Sequence, residues 1–145
     1  MLAYATLFAW SFLAATIVPI GSEPAVVAMT GNGYSRTAIV VVATLGNYLG
    51  AVTTYALARA ARRAFSQADS TSVLAREQRA SAFIARYGQP ALLFSWVPLL
   101  GDALVAAAGA AMMPFVPFSM WTIVGKALRY SAVVWGTGAV LSLVR

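Results

Sequence analysis

The sequence predicts an all-α integral membrane protein: an inverted repeat of a re-entrant, broken-helix hairpin plus a transmembrane helix, with an interfacial amphipathic helix between the repeats. Three observations carry that prediction. Hydrophobic residues make up 61% of the chain and charged residues only 10%, against about 25% charged in an ordinary soluble domain. A water-soluble fold would have too little polar surface to cover itself. The uncharged runs are also long, covering residues 1–22, 24–35, 37–58, 88–101, 103–125 and 130–144. A spanning helix needs roughly 20 apolar residues at about 1.5 Å each, and residues 37–58 meet that outright. The third observation is an internal repeat at a constant offset of 79 residues. With 145 residues there is room for one membrane domain: repeat 1 over about 1–59, an Arg-rich connector over about 60–87 and repeat 2 over about 88–145.

The repeat is read from paired motifs. Val18, Pro19 and Glu23 in the first half are answered by Val97, Pro98 and Asp102 in the second, and Gly46-Asn47 is answered by Gly125-Lys126. In each half a glycine followed by a polar residue stands 27 residues after the proline. Proline inside a helix removes a backbone hydrogen bond and clashes with the preceding turn, and an acid beside it does not face lipid. Each apolar segment is therefore expected to break at Pro19 and Gly21, and again at Pro98 and Gly101.

The arms that follow are short. Residues 25–33 give about 13 Å of helix and residues 103–113 about 17 Å at the helical rise, too little to cross a bilayer, so each is expected to return as a re-entrant hairpin. A hairpin that returns to its own side plus one spanning helix makes one crossing per repeat, which inverts the second repeat. Interrupted helices at matching places in inverted repeats are how many secondary transporters build a site near the midplane.

Between the repeats, Gln67, Asp69, Ser70, Thr71 and Ser72 mark a loop, with Ser72 as an N-cap. Beyond it Val73, Ala80, Phe83, Ile84 and Tyr87 share one helical face, while Arg79 and Arg86 share the other. That pattern suits an interfacial helix on anionic headgroups, as it does a solvated connecting helix. Six of the nine arginines lie between Arg59 and Arg86, which places this connector in the cytoplasm by the positive-inside rule. The first hairpin then opens outward, the second toward the cytoplasm, and both termini lie outside. In the second repeat Pro114 and Pro117 mark the turn into the last helix. Tyr4, Trp10, Tyr34, Tyr87, Trp96 and Trp121 suit aromatic belts.

The net charge of +6 belongs to these flanking arginines and to no folded basic face, so nucleic acid is not an expected partner. There is no Cys and no His, so disulfides, thiol chemistry and a metal cluster are not expected. No cofactor is expected either. The N-terminal apolar run lacks a basic leader and continues past Pro19, so a cleaved signal peptide is not expected.

Five polar groups fall where hydrocarbon is expected: Glu23, Asn47, Asp102, Lys126 and Arg129. Ionisable residues at such depth normally face a cavity or a partner and mark substrate or proton pathways. Lys126 and Arg129 stand three residues apart on one helix face, and Arg suits a phosphate through its planar fork. In one reading the four charges pair and tie hairpins to spanning helices. In the other, Glu23 and Asp102 titrate or coordinate cations while Lys126 and Arg129 draw in an anionic group. Gly46 and Gly50 form a GxxxG, with Gly125, Ala132 and Gly136 a comparable strip, and ordinary helix packing accounts for both.

Four stretches carry a family resemblance: VPIGSEPAVVAM over residues 18–29, TLGNYLGAVTTYALAR over 44–59, SWVPLLGDAL over 95–104 and GKALRY over 125–130. In these the chain resembles the DedA family, also called SNARE-associated or VTT-domain proteins, and within it the short YqaA-type branch. The resemblance covers nearly the whole chain. It implies two opposed re-entrant hairpins and the flipping or scrambling of lipids, polyprenyl phosphate carriers among them, linked to the proton motive force. Glu23 matches the family's hairpin acid, and Gly46, Gly50, Tyr55 and Arg59 fall in its matched helix. The common family pattern has an acid where this chain has Asn47, and arginines where it has Ser95 and Gly101. Asp102, Lys126 and Arg129 belong to this branch.

The expected function is therefore a transporter that flips or scrambles an anionic phospholipid or polyprenyl phosphate in the bacterial inner membrane, with membrane lipids, protons or cations as partners. A cation-coupled small-solute or ion antiporter and a non-transport membrane homeostasis factor are the alternatives. An oligomer is compatible with all three. An enzyme is not expected, because no nucleophile has a visible base. Intramembrane proteolysis would need paired Asp, and of the two present Asp69 lies in the connector loop.

Overall fold

The structure is a computed structural model that describes residues 1–16, 21–65, 89–97 and 100–144. The expected breaks at Pro19 and Pro98 and the amphipathic helix over 72–87 lie outside the described residues. Within them the chain is all helical, with no strand: α1 (Leu2–Ala14), α2 (Glu23–Gly31), α3 (Arg36–Phe65), a 3₁₀ segment (Gln89–Trp96), α4 (Leu100–Ala110) and α5 (Phe115–Val144).

The local sequence explains the ends of these elements. Thr16 closes α1 by donating its hydroxyl to the carbonyls of Phe12 at 3.3 Å and Leu13 at 3.1 Å, which also accept from the amides of Ala15 and Thr16 in a tightened last turn. Helix α2 opens with Ser22 as N-cap, Glu23 in its first turn and Pro24 just inside, where a missing N–H costs nothing and a negative charge meets the positive end of the helix dipole. Asn32 ends it, with Nδ2 donating to the Ala28 carbonyl at 2.8 Å. Helix α3 runs through the expected spanning stretch but continues to Phe65, beyond residue 59 where the connector was expected to begin. Ala and Arg are strong helix formers, so the first charges do not end it, and Arg62 and Arg63 in the last turn suit the negative pole of the dipole. The stretch Arg36–Ala64 is long and apolar enough to cross a membrane. Helix α5 has the same 30 residues as α3, about 45 Å at the helical rise.

Two boundaries differ from expectation. Helix α4 starts at Leu100, so Gly101 and Asp102 form its first turn and Gly101 is not itself the break. Gly101 is needed there for space: a Cβ on it would run into the Ser95 backbone. Pro117 lies inside the first turn of α5, where its lack of an N–H is tolerated.

The 79-residue offset reappears in the backbone. It carries the first and last residues of α3 onto those of α5, and the last residue of α2 onto that of α4. It also relates the two positive-φ residues found among the described residues, Gly33 at 77° and Met112 at 57°. The hydrogen bonds of the two turns correspond one for one: Asn32, Gly33 and Tyr34 donate to Ala28, Thr30 and Met29, and Ala111, Met112 and Met113 donate to Ala107, Gly109 and Ala108. The turn closes by a left-handed residue. Glycine accepts that conformation without strain, whereas Met112 adopts it at a cost of about 1–2 kcal/mol.

The chain forms two compact units, one made of Met1–Gly50 and Lys126–Arg145 and the other of Ala51–Gly125. In the first unit Leu7, Val26, Met29, Ile39, Ala43, Tyr130 and Val134 make the core. Here Gly46 and Gly50 let α1 lie directly on α3. A Cβ at Gly46 would stand 2.5 Å from the Phe8 carbonyl oxygen, and one at Gly50 would meet that of Phe12. In the second unit Ala51, Tyr55, Leu92, Leu104, Val105 and Phe118 are buried together, and the Tyr55 ring stacks on Phe118 at 4.2 Å. Gly109 serves α4 as Gly46 serves α1: a Cβ on it would collide with the Tyr55 carbonyl.

The outer faces of the long helices are apolar. Val41, Leu45 and Leu49 of α3 are exposed, as are Met120, Val124 and Leu128 of α5, and the second set stands at the repeat equivalents of the first.

Candidate functional site: a buried polar cluster on α5

Helix α5 places Lys126, Arg129 and Tyr130 on one face, since residues three and four apart are neighbours on a helix. All three point into the first unit. Lys126, only 1% exposed, donates from Nζ to Oδ1 of Asn47 on α3, itself 5% exposed. Arg129 forms an ion pair with Glu23 in the first turn of α2, their side chains 13% and 29% exposed. Beside that pair, the hydroxyls of Tyr130 and Ser22 share a hydrogen bond of 2.5 Å. Consecutive residues of α5 thus hold consecutive residues at the start of α2.

The chemistry follows from burial. An ammonium or a guanidinium removed from water is tolerated only with hydrogen-bond partners and countercharge. Glu23 supplies the countercharge to Arg129, and Asn47 supplies a neutral acceptor to Lys126. In the same unit the Thr44 hydroxyl is buried without a hydrogen-bond partner among the described residues. The cluster combines two cationic donors, one carboxylate and neutral hydroxyl and amide groups, a set suited to an anion with several oxygen acceptors.

Of the five residues singled out in sequence, four meet here: Glu23, Asn47, Lys126 and Arg129. The fifth, Asp102, is in the second unit, half-buried in the first turn of α4. Ser22 and Tyr130 are members of the cluster that sequence reasoning passed over. The signal was their adjacency to Glu23 and Arg129: a helix gripping one residue also reaches its neighbour.

Tyr55 and Arg59 have a different place, in the second unit. The Tyr55 hydroxyl donates to the Met113 carbonyl at 2.5 Å, and Arg59 Nη1 donates to both the Tyr55 oxygen at 2.7 Å and the Met113 carbonyl at 3.0 Å. The Met113 carbonyl lies just before α5, whose first backbone bond runs from Phe118 to Pro114, and Tyr55 and Arg59 supply its donors and hold the entry to α5. Tyr55→Phe is therefore expected to destabilise the protein by about 1 kcal/mol, the net value of one such hydrogen bond. Thermal unfolding in detergent checks this.

No group of three or more His, Cys, Asp or Glu that could hold a metal ion is present among the described residues.

Comparison with known proteins bears on the whole chain. The inner membrane protein YqaA of Escherichia coli is 40% identical over 133 residues, spanning 91% of this chain and 89% of that protein. The protein of the same name from Shigella flexneri matches to the same extent. An uncharacterized protein of Haemophilus influenzae is 35% identical over 137 residues, 89% of this chain and 83% of its own. No solved structure matches. The VTT domain matches residues 18–137, a span that contains α2 to α4, most of α5 and every residue of the polar cluster, and the chain belongs to the VTT-domain family, the DedA proteins.

Proposed function

We propose that the protein is an integral transporter of the bacterial inner membrane, not an enzyme, and that it flips or scrambles an anionic phospholipid or polyprenyl phosphate, coupled to protons. The observation that carries this reading is Lys126. A lysine 1% exposed sits one helical turn from a half-buried arginine, on a helix whose outer face is a stripe of exposed apolar residues. Charges inside and hydrocarbon outside suit a bilayer and invert the distribution of a soluble protein. The membrane location is also supported by the Escherichia coli relative, an inner membrane protein.

The hairpins fit as re-entrant elements. Helix α2 has 9 residues and α4 has 11, each too short for a bilayer about 30 Å thick, whereas α3 and α5 are long enough. The inversion of the repeats is supported by Asn47 and Lys126, which are equivalent positions and bond to each other, as residues related by a two-fold do at its axis. An axis in the membrane plane would put them near mid-depth, the place where transporters with inverted repeats keep their site.

The test is translocation of fluorescent anionic phospholipid in proteoliposomes. Wild-type protein is expected to translocate it, and the Lys126→Ala, Arg129→Ala double variant to fall to protein-free background. Wild-type rates in the double variant would sink the reading. Transport indifferent to lipid headgroup would favour a small-solute or ion antiporter.

A further inference from the structure

The anion-binding fork of Arg129 is already engaged. Its guanidinium is occupied by the Glu23 carboxylate, and it is also the fork best suited to a phosphate group. We propose that Glu23 is a built-in stand-in for the ligand: a phosphodiester takes its place on Arg129 when, and only when, Glu23 takes up a proton, so proton and anion load together. The proposal rests on the anionic-ligand reading above and adds the coupling rule.

The exchange conserves the charge of the site. In the structure the pair is Glu23 carboxylate with Arg129 guanidinium. After loading it is a neutral Glu23 carboxyl, with the proton on a carboxylate oxygen, and a phosphodiester anion on Arg129. One proton and one negative charge have entered, so the charge of the site is unchanged. With Lys126 held on Asn47, a diester entering beside an ionised Glu23 would put a second anion on the one Arg129 guanidinium in a poorly solvated place, which burial penalises.

The surroundings permit the exchange. Glu23 is the more exposed partner, at 29% against 13% for Arg129, so the carboxylate has access to a proton and room to leave, while Arg129 stays. The charged and titratable groups facing Glu23 are few. Helix α5 presents Arg129, with Lys126 one turn earlier and Tyr130 bonded to Ser22. Helix α3 carries Arg36 and Tyr48 in this unit, and its neutral Asn47 accepts from Lys126. Helix α1 has no charged residue, and α2 has none but Glu23 itself. No second acid within the unit's described residues competes for the role.

The experiment is calorimetric titration of short-chain phosphatidylglycerol into the purified chain in uncharged detergent, across about pH 5.5 to about pH 8; its phosphodiester keeps one charge throughout, so any slope belongs to the protein. Wild-type affinity is expected to fall with rising pH, approaching about tenfold per pH unit where one proton must accompany each anion. Glu23→Gln is expected to bind with the acid-limit affinity at every pH, and Glu23→Asp, which keeps the carboxylate, to retain the slope. The Glu23→Gln, Arg129→Gln double variant is expected to bind no diester.

A flat wild-type profile, a slope that survives in Glu23→Gln, or binding retained in the double variant overturns the exchange while leaving an anionic ligand in place. Absence of binding by wild-type protein at every pH overturns both the exchange and the anionic-ligand reading. The deacylated headgroup, glycerophosphoglycerol, is titrated in parallel. The same slope with it identifies a free phosphodiester as sufficient ligand, and a slope with the lipid alone identifies the lipid; either result supports the exchange.

Discussion

Arg129→Ala is expected to lower the unfolding free energy by about 3 kcal/mol, the lower end of what is lost when one partner of a buried ion pair is removed. The loss arises at Glu23. Its carboxylate is 29% exposed, so water offsets part of the cost, but the guanidinium that fastened it to α5 is gone. The Ser22–Tyr130 bond alone then holds the start of α2. Replacing both partners, as Glu23→Gln with Arg129→Met, is expected to recover most of the stability, because no charge is left without its partner. Unfolding in detergent, followed by helical circular dichroism, separates the outcomes: a double variant no more stable than Arg129→Ala would show that the ion pair does not hold α2 in place.

Asn47→Leu is expected to cost about 2 kcal/mol, the scale of a hydrogen bond to a charged group, because Lys126 is buried and loses its Oδ1 acceptor. Asn47→Asp is expected to stabilise the fold instead, since it pairs the existing ammonium with a carboxylate and requires no further charge to be buried without countercharge. By neutralising Lys126 it is also expected to weaken binding of an anion. Unfolding midpoints for both variants, with diester titrations for Asn47→Asp, check these expectations. An Asn47→Leu variant as stable as wild type would mean that Asn47 is not a significant support for Lys126.

The repeat was legible because it is written in residues that constrain the backbone. Pro19 and Pro98 each disfavour continuous helix, and paired Gly-polar steps follow each at the same spacing. The offset found in those motifs is the offset of helix ends and turn bonds in the structure. The element ends were read less well. Helix α3 outran its apolar stretch because arginine and alanine favour helix irrespective of solvent, so a change in polarity is a poor guide to a helix terminus. Gly101 was read as a break, yet its place in the first turn of α4 reflects lack of room beside Ser95.

The candidate site was half legible. Intramembrane charge marks itself, and Glu23, Asn47, Lys126 and Arg129 were all identifiable from their burial in apolar sequence. Tyr55 and Arg59 were identifiable only through the resemblance, and the structure supplies a physical task for them: holding the Met113 carbonyl at the entry to α5.

What the sequence by itself determined is the helical class, the repeat and the identity of the ionisable groups, because composition, proline placement and periodicity act locally along the chain. Which groups meet was decided by tertiary structure alone. Glu23 and Arg129 lie on different repeats and are brought together because α5 adds its second half to the same unit as α2. Asp102, the equivalent of Glu23, falls in the other unit. The offset pairs Glu23 with Asp102 and Arg129 with Gly50, so the repeat by itself does not give the Glu23–Arg129 pair.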